Sequence, residues 1–351
     1  MDRTGPETSP AGPAGRPARI IDCTLRDGSY RLPRGFDAAQ TSRLAAGLEA
    51  AGIGVVELGH GLGLGAPGRG LAPIGESDAA YLRAGRAALR RARMAVLAIP
   101  GIAAEDDLRH AADAGVDVVR IGIDIPRSAE AAPLLALSRR LGLETHASLL
   151  KASLEDAAGF ARHARTMAEA GAQHVGLYDS AGALLPAQVA AMLRAARAAL
   201  PAETGLAFHG HDNLGLAIAN ALAALAAGAE SIDCTLAGAG RSAGNAATEV
   251  FLLAARRAGH ALAGDFAALG RLAEVEILPI FGPIAGTPED AAMGFAGLHS
   301  DGLALVRSVA ARRGLPVLAL LQALAGRPAT ARLAEAAVEE AAEGLAAGAT
   351  A

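Results

Sequence analysis

Cysteine is almost absent from the 351-residue chain. Two residues, Cys23 and Cys234, exclude a disulfide framework, and their separation is not that of a zinc knuckle. Each sits in the same pentapeptide, Ile-Asp-Cys-Thr-Leu, at 21–25 and 232–236, and both read as buried thiols at strand ends. No apolar run approaches the roughly 20 residues that span a bilayer. Residues 1–17 are rich in Pro, Gly, Ala and Thr, lack the apolar segment of a signal peptide and read as a disordered tail, so the expected compartment is the cytoplasm. Nor is there a basic excess: 32 Lys and Arg against 36 Asp and Glu give a net charge of −4, which argues against nucleic acid or an anionic membrane as partner. Lysine is reduced to Lys151 alone. With the excess of Ala and Gly this is a compositional bias, so Ala-rich helices carry little functional information.

What is present is a hydrophobic content of 52% over a length sufficient for one large α/β domain plus an appendage. Strand-like runs near 19–25, 53–58, 94–99, 116–122, 143–149, 173–178, 205–210 and 230–236 alternate with helical stretches at 38–51, 77–92, 104–114, 128–141, 153–170, 187–200 and 215–228. Several helices close at glycine: Gly52, Gly115, Gly142, Gly171 and Gly228. About eight β/α units over residues 18–255 predict a TIM (β/α)8 barrel. The alternative, a doubly wound sheet, lacks its glycine fingerprint, because the first βα turn reads Arg26-Asp27-Gly28-Ser29-Tyr30. Beyond it, 256–346 reads as a helical C-terminal region, with helices at 265–280, 288–296, 302–313, 316–325 and 329–346.

The strand ends carry the chemistry. In Gly205-Leu206-Ala207-Phe208-His209-Gly210-His211, residues two apart on a strand share a side, so His209 and His211 can present both imidazoles to one ion. Asp27, following the first strand-like run with Gly28 behind it for a tight turn, adds a hard oxygen. Two imidazoles and a carboxylate with open positions suit Mn²⁺, Zn²⁺, Fe²⁺ or Co²⁺ better than Ca²⁺. Each motif alone fits an ordinary structural role. In a closed barrel, however, Asp27, His209, His211 and Asn245 all converge on the C-terminal mouth, where βα loops build active sites. Lys151, after the fifth strand, offers a separate Schiff-base route to keto-acid chemistry, although solvent exposure is the commoner fate of a loop lysine.

Three segments, Asp22-Cys23-Thr24-Leu25-Arg26-Asp27-Gly28, His209-Gly210-His211-Asp212-Asn213-Leu214-Gly215 and Gly238-Ala239-Gly240-Arg241-Ser242-Ala243-Gly244-Asn245, make the chain resemble the metal-dependent barrels that include isopropylmalate synthase and hydroxymethylglutaryl-CoA lyase. Glu57-Leu58-Gly59-His60-Gly61-Leu62-Gly63-Leu64-Gly65, Ile99-Pro100-Gly101-Ile102 and Tyr178-Asp179-Ser180-Ala181-Gly182-Ala183-Leu184-Leu185-Pro186 narrow the resemblance to the 4-hydroxy-2-oxovalerate aldolases, over about 19–310. The resemblance implies a divalent ion, usually manganese with Mg²⁺, Co²⁺ or Zn²⁺ as alternatives, on Asp27, His209 and His211, with Asn245 as a further ligand or a support. It implies that Arg26 stabilises the enolate formed when a 4-hydroxy-2-oxo acid is cleaved to pyruvate and an aldehyde, and Ser180 is placed to hold the substrate carboxylate.

This sequence departs from the resembling aldolases at Tyr30, where they carry a catalytic histidine. A site tyrosine of theirs falls near His299, so the two residue types are expected to have exchanged places, with His299 as base and Tyr30 orienting the hydroxyl. Two other functions remain open here: a Claisen-type acyl-CoA synthase, against which Ser29-Tyr30 stands where synthases usually have Glu-Gln, and a metal-binding homologue without catalysis. The partners implied are a 2-oxo acid and an aldehyde, and for the helical region an acylating aldehyde dehydrogenase or a second copy of the chain.

Overall fold

The computed structural model describes residues 18–71, 75–325, 327 and 330–348; the tail expected at 1–17 lies outside them. Among the described residues, eight parallel strands close into a barrel in sequence order: β1 (Arg19–Asp22), β2 (Val55–Leu58), β3 (Arg93–Ala98), β4 (Val118–Asp124), β5 (Glu144–Leu150), β6 (His174–Asp179), β7 (Gly205–Gly210) and β8 (Ser231–Cys234). The expected (β/α)8 barrel is therefore the fold. An apolar layer between sheet and outer helices, including Val56, Val119, Phe160, Leu193, Phe208 and Ile232, forms the main core.

Local chemistry explains the alternation. Asp37 caps the helix Ala38–Ala50 by accepting from Gln40 N at 2.7 Å, while the Gln40 side chain accepts from Asp37 N at 2.9 Å. The five helix-closing glycines all have positive φ, from 77° at Gly142 to 105° at Gly171, a conformation that a Cβ would strain.

Three expectations need correction. The first strand stops at Asp22, whose carboxylate accepts from Thr24 N at 3.0 Å and starts a helical turn, Thr24–Asp27. Gly28 accordingly continues in right-handed helical conformation (φ −60°) instead of making a tight turn; a Cβ there would lie 3.4 Å from the Ala239 carbonyl oxygen. The stretch 265–280 is not one helix, because Pro279 has no N–H to extend the ladder: Phe266–Leu272 passes through a π turn at Ala273–Ile277 into Leu278–Phe281.

The barrel's last helix, Thr248–Arg257, runs across the expected boundary at 255, and Leu269, Ala273 and Ile277 still pack into the barrel core. A second core begins at Ala292 and extends to Ala342, joining the helices Pro288–Phe295, Leu303–Arg313, Val317–Leu324 and Glu335–Gly348. These helices reach the C-terminal mouth, placing Leu298, His299, Leu305 and Leu333 in the wall of its cavity.

Barrel closure sets one register that matters for the site. β1 and β8 pair with Ile21 opposite Asp233 and Asp22 opposite Cys234, so the two Ile-Asp-Cys-Thr-Leu copies lie side by side, offset by one residue. A one-residue offset sends equivalent side chains to opposite faces. Cys23 therefore packs inside the barrel with Ile21, Val55, Ala95 and Val118, whereas Cys234 joins the outer layer. Asp22 points outward to the Thr248 hydroxyl at 2.7 Å, and Asp233 points inward.

Candidate metal centre and active site

At the mouth, Asp27, His209 and His211 come together with candidate ligand atoms all within 4.8 Å of one another. All three residues are buried. β7 supplies His209, and His211 follows at a bridge to Asn245. Asp27 ends the helical turn after β1.

Hydrogen bonds fix the direction of each imidazole. His209 Nδ1 meets Asp233 Oδ2 at 2.9 Å, and His211 Nδ1 meets the Gly244 carbonyl at 3.2 Å. A carbonyl only accepts, so Nδ1 of His211 carries its proton and Nε2 is left as a lone pair. Burial pushes the pKa of His211 down to about 3, keeping the ring neutral as a ligand must be. Burial also opposes charge on His209, but Asp233 and Asp27 together hold its pKa above the ordinary value.

The donor set fits a dication. Asp27 Oδ2 lies 3.2 Å from His209 Nε2, is fully buried and has no hydrogen-bond partner. With Nδ1 donating to Asp233, a carboxylate oxygen and an imidazole lone pair face each other, which requires a cation or proton between them. Asn245 donates from Nδ2 to the Gly210 carbonyl (3.2 Å), lies 3.3 Å from His209 Nε2 and buries an orphaned Oδ1. Gly240 makes that approach possible, since a Cβ there would fall 1.7 Å from Asn245 Oδ1.

Beneath the ligands runs an ionic network that sequence reading missed. Glu57 Oε2 joins Arg26 Nε (2.8 Å) to Arg120 Nη1 (3.1 Å); Arg120 also pairs with Asp233 and the Tyr178 hydroxyl, and the Tyr178 ring stacks on His209 at 4.5 Å. Glu57 and Tyr178 lie in the motif segments, but their role needed a partner, Arg120, in a strand with no motif. Across this set the formal charge is two arginines against Asp27, Glu57 and Asp233, a net −1 that favours a divalent cation. Opposed by burial, Arg26 still holds the carboxyl of Asp27 well below the usual range.

Above the ligands is a cavity of about 740 Å³ whose wall includes Arg26, Tyr30, Ser180 and His299. Arg26 Nη2 is buried with no partner, an unused donor beside the ligand set. Ser180 Oγ accepts from Lys151 N at 2.9 Å, which leaves its own proton to donate. The Tyr30 ring lies edge-on to His60 at 6.1 Å, and Gly61 accommodates it: a Cβ at 61 would approach its ring carbons to 2.5 Å. His299 reaches the same cavity, with Nδ1 2.8 Å from Asp301 Oδ2 and Nε2 against Arg241, whose guanidinium lies 5.0 Å from the Tyr30 ring centre. Lys151 is engaged by Asp124 (3.0 Å) and the Ala331 carbonyl (2.5 Å), so a free amine for a Schiff base is not presented.

A second cluster, Glu144, His146 and His174, lies at the opposite, N-terminal end of the strands. Arg19 (2.5 Å) and Arg93 both pair with Glu144, so two cations already occupy its carboxylate. This is structural chemistry at the stability face of a barrel.

A closed (β/α)8 barrel with an Asp-His-His centre at its C-terminal mouth defines a metal-dependent barrel enzyme scaffold. The chain belongs to the HMGL-like family, whose model matches residues 18–275. It is 36% identical over 309 residues to a 4-hydroxy-2-oxovalerate aldolase of Alkalilimnicola ehrlichii, covering 88% of this chain and 90% of that protein. It is likewise 36% identical over 308 residues to 4-hydroxy-2-oxovalerate aldolase 1 of Azoarcus sp., covering 88% and 89%. Among solved structures, the N-terminal domain of a putative aldolase from Bacteroides vulgatus superposes with a TM-score of 0.67 at 24% identity, over 80% of this chain and 93% of that one. The carboxyl transferase domain of Rhizobium etli pyruvate carboxylase with oxalate gives 0.75 at 16% identity, over 99% and 66%. The structural likenesses show the fold alone.

Proposed function

We propose that the protein is a divalent-metal-dependent aldolase that cleaves or forms a 4-hydroxy-2-oxo acid, interconverting it with pyruvate or a related 2-oxo acid and an aldehyde. The observation that carries this reading is the pairing of two buried, unsatisfied atoms at the mouth: Asp27 Oδ2 among the imidazoles, and Arg26 Nη2 beside it. Asp27 Oδ2 has the Arg26 Nη1 guanidinium at 3.3 Å as an ion-pair partner but no hydrogen bond, leaving it an acceptor on the imidazole side, while Arg26 Nη2 is a donor without an acceptor. The curated relatives carry the same activity in their names.

Asp27, His209 and His211 would hold the ion, with Asn245 supporting His209. When bound, a divalent ion supplies Lewis-acid polarisation of the 2-oxo acid; manganese is the proposed occupant. The rest falls to this chain's own side chains. Ser180 donates to the substrate carboxylate, and Tyr30 orients the 4-hydroxyl. His299 Nε2 takes the hydroxyl proton; the C4–O bond becomes a carbonyl as the C3–C4 bond breaks, and its electron pair passes to the enolate of the 2-oxo acid. Arg26 stabilises that enolate through its free N–H, an interaction strongest where charge develops. Return of a proton to C3 completes the 2-oxo acid. Burial lowers the pKa of His299, reinforced by Arg241 and opposed by Asp301, so the ring is neutral and able to accept near pH 7.

Among the described residues no helix is long and apolar enough to cross a membrane, and the cytoplasm is the proposed compartment. Val250, Leu253, Phe266, Val275 and Ile280 are exposed on the helical segments between Thr248 and Phe281, apolar side chains suited to an acylating aldehyde dehydrogenase or a second copy as partner.

The test is exchange of the pyruvate methyl protons with deuterium, followed by NMR, in purified protein stripped with EDTA and reloaded with Mn²⁺. Exchange restored by metal, and lost together with bound metal in Asp27→Asn and His209→Ala, is expected. No exchange in metal-loaded protein would shift the assignment to acyl-CoA or non-catalytic chemistry.

A further inference from the structure

We propose that Arg241 is the positioning residue of the acid/base group: together with Asp301 it holds His299 as the Nδ1-protonated tautomer, with the Nε2 lone pair at the cavity. This rests on the aldolase reading above and extends it to a residue outside the ligand set.

Three side chains close a ring of contacts. Arg241 Nη1 meets Asp301 Oδ1 at 3.1 Å, Asp301 Oδ2 meets His299 Nδ1 at 2.8 Å, and His299 Nε2 faces Arg241 Nη2. A guanidinium carries only donors and stays charged at any working pH. The imidazole nitrogen facing it must therefore be the lone-pair nitrogen, and the ring proton sits on Nδ1, donated to the Asp301 carboxylate at 2.8 Å; the Asp301 backbone N–H, 3.4 Å from the same nitrogen, is the longer and weaker contact. That is the form a general base requires. As the substrate hydroxyl arrives it takes the place of one guanidinium N–H at Nε2, while Asp301, still held by the other arm of Arg241, keeps the ring in register.

The loop that carries Arg241 is built to hold this position. Ser242 adopts φ 56°, unusual for a residue with a side chain, and is pinned by donation from Asn213 Nδ2 (2.9 Å) and by its own bond to Asp290 Oδ1 (2.9 Å). Asp290 lies in the helix Pro288–Phe295, directly before the His299 segment, so one contact ties both halves of the ring together. The guanidinium also covers the Tyr30 ring, coupling the base to the residue that orients the hydroxyl. Arg241, Lys151, Asp301 and His211 are the titratable and charged groups acting on His299, and Tyr30 lines the same cavity. The two cations disfavour imidazolium and the carboxylate favours it, so opposite substitutions act with opposite sign.

The experiment measures kcat and KM for 4-hydroxy-2-oxovalerate against pH in the Mn²⁺-loaded wild type, Arg241→Ala, Arg241→Lys and Asp301→Asn, with ¹⁵N NMR of histidine-labelled protein. His299→Gln identifies the His299 signals. In Arg241→Ala, kcat is expected to fall about 10- to 100-fold, within the range of a displaced acid/base group, while KM stays within about twofold. Its acidic limb moves to higher pH, that of Asp301→Asn moves to lower pH, and Arg241→Lys recovers part of the loss. The wild-type spectrum shows a proton on Nδ1 of His299, and in Arg241→Ala the two tautomers mix.

A raised KM with an unmoved pH profile in Arg241→Ala would make Arg241 a substrate contact and overturn the proposal. Limbs that shift in the same direction in both variants, or a wild-type His299 protonated on Nε2, would do the same. If the wild type neither cleaves substrate nor exchanges pyruvate protons, the aldolase reading fails by itself, and the tautomer measurement still decides the positioning claim.

Discussion

Asp233 binds no metal in this reading, yet its replacement by asparagine should be among the most informative changes in the barrel. Its Oδ2 takes the Nδ1 proton of His209 at 2.9 Å and pairs with the buried Arg120. Burial works against its charge, but Arg120 and His209 hold its pKa well below the ordinary carboxylate range, so it is an anion at all relevant pH. Asparagine removes that anion. The net −1 of the network becomes zero, His209 loses the partner that makes its Nε2 basic, and Arg120 keeps Glu57 (3.1 Å) as its one carboxylate. Loss of such a support behind a ligating histidine costs about 10- to 100-fold in metal affinity, or roughly 1.4–2.7 kcal/mol. Breaking a buried ion pair from one side costs about 3–5 kcal/mol of fold stability, an upper figure here because Glu57 retains Arg120. Competition with a fluorescent chelator gives the affinity, and urea unfolding of metal-free protein gives the stability. An Asp233→Asn protein with wild-type Mn²⁺ affinity would refute the claim that Asp233 aims His209 at an ion.

Two further changes probe different parts of the molecule. Gly61→Ala drives a methyl group to within 2.5 Å of the Tyr30 ring carbons; overpacking of this kind costs about 1–3 kcal/mol, so Tyr30 should swing away and turnover fall at least tenfold while bound metal, measured by mass spectrometry, stays stoichiometric. Asp22 is buried, and that burial, partly offset by bonds from Thr24 and Thr248, raises its pKa from 3.8 to about 6. The folded state then holds its proton more tightly than the unfolded chain, so stability falls as pH rises from about 4 to 6, by a total on the order of 3 kcal/mol. Asp22→Asn keeps both neighbours bonded without a charge, and in urea titrations its advantage over wild type should grow across that window and level off above it. An advantage independent of pH would show that Asp22 titrates normally.

The alternation of strands and helices was legible because it rests on local physics. Short apolar runs, helical periodicity and glycines past helix ends gave eight units and hence a closed barrel. Where local signals conflict, composition and structure part. Thr24 and Leu25 look like the end of a strand by composition, but they open a helical turn, Thr24–Asp27, with Thr24 N donating to the Asp22 carboxylate. At 265–280 the apolar period continues through Pro279, whose missing N–H breaks the helix that the period suggests.

The site divides in the same way. His209 and His211 announce themselves by two-residue spacing, and Asp27 by its place at a strand end. Arg120 gave no such signal, because a lone arginine in an apolar strand has no partner in its own segment; only barrel closure brings Glu57, Tyr178 and Asp233 around it. Arg241 and Asp301 stand 60 residues apart and meet only because the C-terminal helices fold back over the mouth.

The sequence alone determined the barrel and the gathering of Asp27, His209 and His211 at one end of it, since each follows from spacing and residue character along a few neighbouring positions. The repeated Ile-Asp-Cys-Thr-Leu shows what sequence cannot decide. Identical pentapeptides give one aspartate that faces inward to His209 and another that faces outward to Thr248 behind the sheet. Which is which depends on a one-residue offset between β1 and β8, a register set by closing the whole barrel and written in neither segment.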